Sequence, residues 1–167
     1  MAKPIDLWRY SMLYQLDYHS PIGIIEITGT DQYITAVLFA AHEEVQFTKT
    51  ESTPAVLNEC YEQLDDYFAG KRQQFTVPYF FEGTAFQNSV WQALTTVPFG
   101  KTASYKDIAQ HIGNEKAVRA VGMTNSKNQI SIIVPCHRVI GTNGKLTGYA
   151  GGLWRKGWLL EHERKMP

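Results

Sequence analysis

The stretch Pro135-Cys136-His137-Arg138-Val139 sets a nucleophile, a base and a permanent cation side by side. Cysteine reacts as the thiolate, and a free thiol is mostly protonated at neutral pH. A reactive cysteine therefore needs a base, a positive charge or a helix N-terminus next to it. His137 and Arg138 are such neighbours. The apolar run Ile130 to Val134 reads as a short buried extended segment that ends at Pro135 and fixes where Cys136 sits. For a bare Cys-His pair, a buried inert thiol beside a chance histidine is the plainer reading; the run as a whole favours covalent chemistry. The other cysteine, Cys60, forms no CxxC or zinc-finger spacing with Cys136 and shares a helical side with Leu64, so it reads as core packing.

The elements that must position these residues fall into two halves. Met12 to Tyr18, Ile22 to Thr28 and Tyr33 to Phe39 are rich in β-branched and aromatic residues and are separated by Ser20-Pro21 and Gly29-Thr30-Asp31, a pattern of three strands. A helix follows from about Pro54 to Ala69, with Ser52 or Thr53 as cap and Leu57, Tyr61, Leu64 and Phe68 as its apolar stripe. Lys71 to Pro78 reads as an extended piece and a linker. In the second half, Thr84 and Gln87 make a capping box ahead of Phe86, Val90, Trp91 and Leu94, and Pro98-Phe99-Gly100 breaks that helix. A short helix from Ser104 to His111 and another capped by Asn114, joined through Gly113, have the shape of a helix-turn-helix. A glycine-rich loop and a last helix from about Leu153 to Arg164 complete the chain. The expected fold is α+β: a small sheet-plus-helix domain over 1–80, then a mostly helical domain over 81–167 that carries the helix-turn-helix and Cys136.

The 167 residues carry a formal net charge of zero, which gives no direct sign of nucleic-acid binding. The charge is nonetheless uneven: Lys101, Lys106, Lys116, Arg119, Lys127, Arg138 and Lys145 face only Asp107 and Glu115 in their stretch, whereas Asp31 to Asp66 is acidic. MAKPIDLWRY lacks an apolar leader core, and no apolar run approaches membrane-spanning length, so a cytoplasmic protein with reduced thiols is expected. His19, His42, His111 and His162 read as structural or surface residues, and Trp91, Trp154 and Trp158 as core or interdomain aromatics.

Beyond the cysteine run, Gly83-Thr84-Ala85-Phe86-Gln87 with Val90-Trp91, then Ser104-Tyr105, Arg119-Ala120-Val121-Gly122, Asn128, Gly148-Tyr149-Ala150-Gly151-Gly152, and Leu159-Leu160 with Glu163 follow one another in a fixed order. These segments resemble the motifs of the O6-alkylguanine-DNA alkyltransferases, whose PCHRV signature is intact here; Tyr67-Phe68-Ala69-Gly70 is a weaker match in the first half. The resemblance implies a single displacement in which the Cys136 thiolate takes an alkyl group from O6 of guanine. It implies His137 as base through a water, Glu163 as its hydrogen-bond partner, Asn128 as holder of the active-site turn, and Tyr105 as donor to the leaving base. Val139, Tyr149, Ala150 and Gly151 would surround the substrate, with backbone carbonyls of Cys136 and Val139 selecting its exocyclic amine. Arg119, Ala120, Gly122, Thr124 and Arg138 would meet DNA, the recognition helix over about 114–124 lying in the minor groove while Arg119 fills the place of a flipped base. The implied partner is double-stranded DNA containing O6-alkylguanine. No cofactor, no metal and no membrane are implied, and the protein is expected to be a monomer.

Two departures stand out. Met123-Thr124-Asn125 follows RAVG where the family often has small residues, and Ala150 stands where some members have serine. The N-terminal half lacks the Cys/His set of members with a structural zinc. A lesion binder of the same fold is the first competing reading, and the presence of Cys136 argues against it. A helix-turn-helix regulator would leave PCHRV, the GYxGG loop and Glu163 without purpose. A cysteine hydrolase would need an oxyanion hole that no recognisable signature supplies.

Overall fold

Alternation of apolar and polar residues from Tyr14 onward builds an antiparallel meander of β1 (Tyr14–Ser20), β2 (Gly23–Gly29) and β3 (Ile34–Phe39), in that spatial order. The computed structural model describes residues 12–167; MAKPIDLWRY, with its expected lack of a leader, lies outside them. The chain divides into two compact units between Phe80 and Phe81. In the first, register places Leu16 opposite Ile27, Tyr18 opposite Ile25 and Ile27 opposite Val37, so one face is continuously apolar and buried. The amphipathic helix α1 (Ala55–Phe68) covers that face with Leu57, Cys60, Leu64 and Tyr67, spaced three and four apart. Tyr61, expected in the stripe, is instead at its edge, packed edge-on against Tyr18 with centroids 5.0 Å apart. Neither Ser52 nor Thr53 caps α1: Pro54 holds the cap position, and the Thr53 hydroxyl accepts from Thr50 N–H at 2.9 Å.

The segment read as a linker is pinned. Pro78 and Phe80 exchange backbone hydrogen bonds of 2.9 Å with Ile34, making a parallel bridge at Tyr79. Gln63, buried on α1, accepts from Thr76 N–H (2.9 Å) and Val77 N–H (3.2 Å) and donates to the Thr76 hydroxyl (2.7 Å). One amide side chain thus pairs two backbone N–H groups of this segment.

The second unit is helical. Helix α2 (Ala85–Leu94) starts on the Thr84/Gln87 capping box, as the sequence predicts. A two-residue strand β4 (Ala103–Ser104) leads into α3 (Tyr105–His111), capped by Ser104 with Asp107. Helix α4 (Val118–Ser126) begins later than predicted: Ala117 is its cap, and Asn114 serves the preceding turn by accepting Ala117 N–H. Gly113, at φ +75°, allows the reversal between α3 and α4. The predicted extended segment Ile130 to Val134 is a tight turn, because Val134 N–H folds back to Ile130 C=O at 3.0 Å. After a single 3₁₀ turn over Cys136–Arg138, β5 (Val139–Ile140) runs parallel to β4, and α5 (Leu153–Lys165) closes the unit. Val90, Trp91, Leu94, Ile108, Val121, Ile130, Val139 and Leu159 form its core. Trp91 is buried as expected and donates to Thr124 C=O at 3.0 Å, whereas Trp154 is 60% exposed.

Replacing Gln63 by leucine keeps the volume but strands two backbone donors. The expected loss is about 2–4 kcal/mol of stability, read from urea unfolding; a loss below about 0.5 kcal/mol would show that the latch is dispensable.

Candidate active site

The turn that presents Cys136 is organised by Asn128. Its buried amide donates to Ile130 C=O (3.2 Å) and Val134 C=O (2.9 Å), and its oxygen accepts Ile130 N–H (3.0 Å). Inside this clamp Ile132 adopts φ +71°, a conformation that costs a β-branched residue about 1–3 kcal/mol. Its side chain is 1% exposed, so core burial holds it there. The chain then enters the 3₁₀ turn, in which successive side chains point about 120° apart. The Cys136 side chain consequently diverges from those of His137 and Arg138.

His137 and Arg138 both meet Glu163, which projects from α5. His137 Nε2 lies 2.8 Å from Oε1. Arg138 forks onto the carboxylate, Nη2 to Oε1 and Nε to Oε2, each at 3.0 Å. Gly100 N–H adds a contact of 3.3 Å to Oε2. The remaining Arg138 nitrogen donates to Val97 C=O at 2.8 Å, and the guanidinium lies over the Phe99 ring. All three charged or polar side chains are buried, His137 and Glu163 to 1% exposure or less. Burial alone would push Glu163 toward its neutral form; hydrogen bonds from His137 and Arg138, with the Arg138 charge, outweigh it and hold the carboxyl well below its usual range. Burial lowers the pKa of His137, helped by the Arg138 and Lys156 charges and opposed by Glu163, so the ring is neutral at rest. An ionised Glu163 can only accept, so Nε2 carries the imidazole proton. Nδ1 has no hydrogen-bond partner among the described residues.

Cys136 is 4% exposed, and burial pushes its thiol up; the Asn128 amide and the Lys156 charge act in the opposite sense. Cys60 lacks such support: burial and Glu59 push it up to about 12, which fits its expected core role. Lys156 was not singled out in the sequence. It is fully buried, donates to Thr147 C=O at 2.6 Å and sits 5.8 Å from the centre of the Tyr105 ring. Burial lowers its pKa to about 8, while Cys136 pulls it up. The available signal was positional: Lys156, Leu159 and Glu163 share one face of α5 and are the buried residues of that helix. Asn125 was also missed; its amide donates to Cys136 C=O at 3.3 Å.

Tyr105 opens α3, where its hydroxyl donates to Thr147 C=O and accepts from the Thr147 hydroxyl, both at 3.1 Å. Gly122 of α4 lies against the same ring. Tyr149 is buried and electrostatically coupled to Cys136, and burial keeps it a phenol. Ala150 is exposed, and Gly151 offers its carbonyl to Arg155 at 3.0 Å. Val139 is fully buried at the start of β5. The Cys136 carbonyl, expected to face a substrate amine, already accepts from Asn125 and Val139 N–H.

Among the residues expected on DNA, Arg119 and Ala120 share the exposed face of α4 with Met123. Two others do not fit. Thr124 is 5% exposed, because it lies on the face of α4 that packs on Trp91. Arg138 is 7% exposed and fully engaged with Glu163 and Val97, which makes it a positioning residue for the carboxylate instead of a phosphate contact.

Residues 85–165 match the model of the 6-O-methylguanine DNA methyltransferase DNA-binding domain, and residues 12–79 that of the ribonuclease-like domain of the same proteins. The methylated-DNA–protein-cysteine methyltransferase of Methanosarcina acetivorans is 47% identical, over 90% of this chain and 98% of its own length. The constitutive one of Bacillus subtilis is 44% identical, over 92% and 96%. The crystal structure of Mycobacterium tuberculosis O6-methylguanine methyltransferase superposes with a TM-score of 0.83 at 42% identity, covering 93% of this chain and 95% of that one. The same organism's protein solved in complex with DNA gives 0.82 at 43% identity, covering 91% and 93%. With the cysteine turn, its buried carboxylate and the helix pair already in place, these likenesses put the chain in the 6-O-methylguanine DNA methyltransferase family.

Proposed function

We propose that this protein repairs DNA by direct reversal, moving an alkyl group from O6 of guanine onto the sulfur of its own Cys136. The observation that carries the reading is the buried His137, with one ring nitrogen committed to Glu163 and the other without a hydrogen-bond partner among the described residues, immediately after a buried cysteine. Family membership supplies the substrate, and the exposed face of α4 with Arg119 and Ala120 is suited to double-stranded DNA.

The steps balance without a cofactor. His137 Nδ1 takes the thiol proton, through a water because the side chains diverge, and the imidazolium that forms is stabilised by Glu163. The thiolate attacks the alkyl carbon; the S–C bond forms as the C–O6 bond breaks. Guanine leaves with the electron pair as an anion, which a hydrogen bond from the Tyr105 phenol stabilises until the guanine ring takes up a proton; Thr147 and Lys156 hold that phenol in place. Asn128 and Asn125 keep the turn rigid while Tyr149, Ala150, Gly151 and Val139 enclose the base. The lesion reaches the site by flipping out through the minor groove, with Arg119 filling its place in the stack. A thioether is a poor leaving group, so each molecule reacts once. None of the described helices is long and apolar enough to cross a membrane. The same reading has the protein act in the cytoplasm as a monomer.

Intact mass after incubation with a duplex carrying one O6-methylguanine tests this reading. One added methyl, mapped to Cys136 and absent from Cys136→Ala, is the expected result. Tight lesion binding with no mass gain would instead make the protein a lesion binder. Lys156 adds a graded test. Its charge favours the thiolate, so Lys156→Met is expected to slow single-turnover transfer about tenfold at pH 7, the equivalent of one pKa unit on the thiol. The deficit should shrink above about pH 8, where Lys156 is losing its own proton in the unsubstituted protein. Equal rates at all pH values would remove Lys156 from the mechanism.

A further inference from the structure

The alkyl-transfer reading uses nothing from the three-stranded sheet, yet that sheet contains an arrangement that costs free energy as it stands. Asp17 of β1 and Glu26 of β2 are direct cross-strand partners. Like charges opposite one another destabilise a sheet unless a cation lies between them. Asp17 is moreover buried, its side chain at 0% exposure. Its two oxygens have different fates. Oδ2 accepts Gln46 N–H (2.8 Å) and Phe47 N–H (3.2 Å) and lies 3.0 Å from His42 Nε2. Oδ1 is buried with no hydrogen-bond partner among the described residues. Glu26 is half-buried, and its Oε1 accepts a long 3.3 Å hydrogen bond from Gln15. One ligand atom from each of Asp17, Glu26 and His42 lies within 4.8 Å of the other two.

We infer that Asp17, Glu26 and His42 form a divalent-cation site that ties β1, β2 and the segment after β3 together. One imidazole nitrogen with two carboxylates suits zinc or a neighbouring first-row ion, with water completing the coordination. The backbone N–H groups of Gln46 and Phe47 act as outer partners: they fix Oδ2 and leave Oδ1 to face the ion. The imidazole coordinates in its neutral form, with its hydrogen on the ring nitrogen that does not face the ion. The ion resolves the two anomalies together, the facing acids and the stranded oxygen. The site differs in kind from a Cys/His structural zinc, since no cysteine takes part.

The test uses the full chain after reaction with methylated DNA, so that the Cys136 thiol cannot bind metal. After chelator treatment and dialysis, zinc(II) is titrated, and bound metal and melting temperature are measured. Cobalt(II) is used in parallel as a spectroscopic probe. The expected result is one zinc per chain, a higher melting temperature, and a cobalt spectrum without thiolate charge-transfer bands. Glu26→Gln and His42→Ala should each weaken binding at least about tenfold, while the rate of methyl transfer by the unreacted variants stays unchanged. Both positions are partly solvent-exposed, so the variants are expected to fold, and unaltered transfer rates verify that they do. Absence of stoichiometric zinc in the unsubstituted chain would overturn the proposal. So would zinc retained at full affinity by both variants, or thiolate bands in the cobalt spectrum, which would place the metal on Cys60.

Discussion

The second unit is arranged around one buried carboxylate. Glu163 enters the protein interior from α5 and stays ionised there because the Arg138 guanidinium grips both its oxygens, His137 donates to Oε1 and Gly100 N–H supports Oε2. Removing one partner of such a buried pair typically costs about 3–5 kcal/mol, since the other charge is left uncompensated. The last helix, the cysteine turn and the loop around Val97 to Gly100 are therefore bound into one body by a single side chain. That constraint decides the state of His137: a carboxylate that can only accept forces the imidazole proton onto Nε2 and leaves Nδ1 as the basic nitrogen.

The burial that makes the site also favours the neutral thiol at Cys136. A thiol pushed up by desolvation does not react with electrophiles at large; it does so once a base takes its proton and a nearby cation stabilises the thiolate. In the proposed reaction His137 and Lys156 supply these two functions from different directions, the first through the 3₁₀ turn and the second from α5. Lys156 also donates to the Thr147 carbonyl and packs by Tyr105, so in the proposed reaction one residue would favour the nucleophile and help position the group that serves the leaving base. The clamp at Asn128 and the strained Ile132 show how strongly the geometry of that turn is imposed.

Much of this was legible in the sequence where chemistry and local signals coincide. The strands, α1, the Thr84 and Ser104 starts and the last helix follow from periodicity and local start signals, and the roles of Cys136, His137 and Glu163 follow from the resemblance of their motifs to those of the family. What was misread depends on contacts between residues far apart in the chain. Arg138 resembles a surface cation in sequence, and only the meeting of α5 with the 3₁₀ turn draws it inside. Ile130 to Val134 has the composition of a strand, but Asn128 offers its backbone a closer set of partners and a turn results. The two-residue parallel pair of β4 and β5 is too short to leave a pattern. Lys156 and Asn125 have no motif around them; their roles come from burial beside Cys136, which composition does not reveal.

In the proposed reaction, Glu163 sets the proton on His137 so that Nδ1 can accept from Cys136. Nitrogen-15 NMR of the protein with labelled histidine rings measures this directly at pH 7. The arrangement described here gives a neutral His137 ring protonated on Nε2, with a bare Nδ1, and a loss of that preference in Glu163→Gln. A His137 ring protonated on Nδ1 in the resting protein would contradict it, because the base would then have no lone pair to turn toward the thiol.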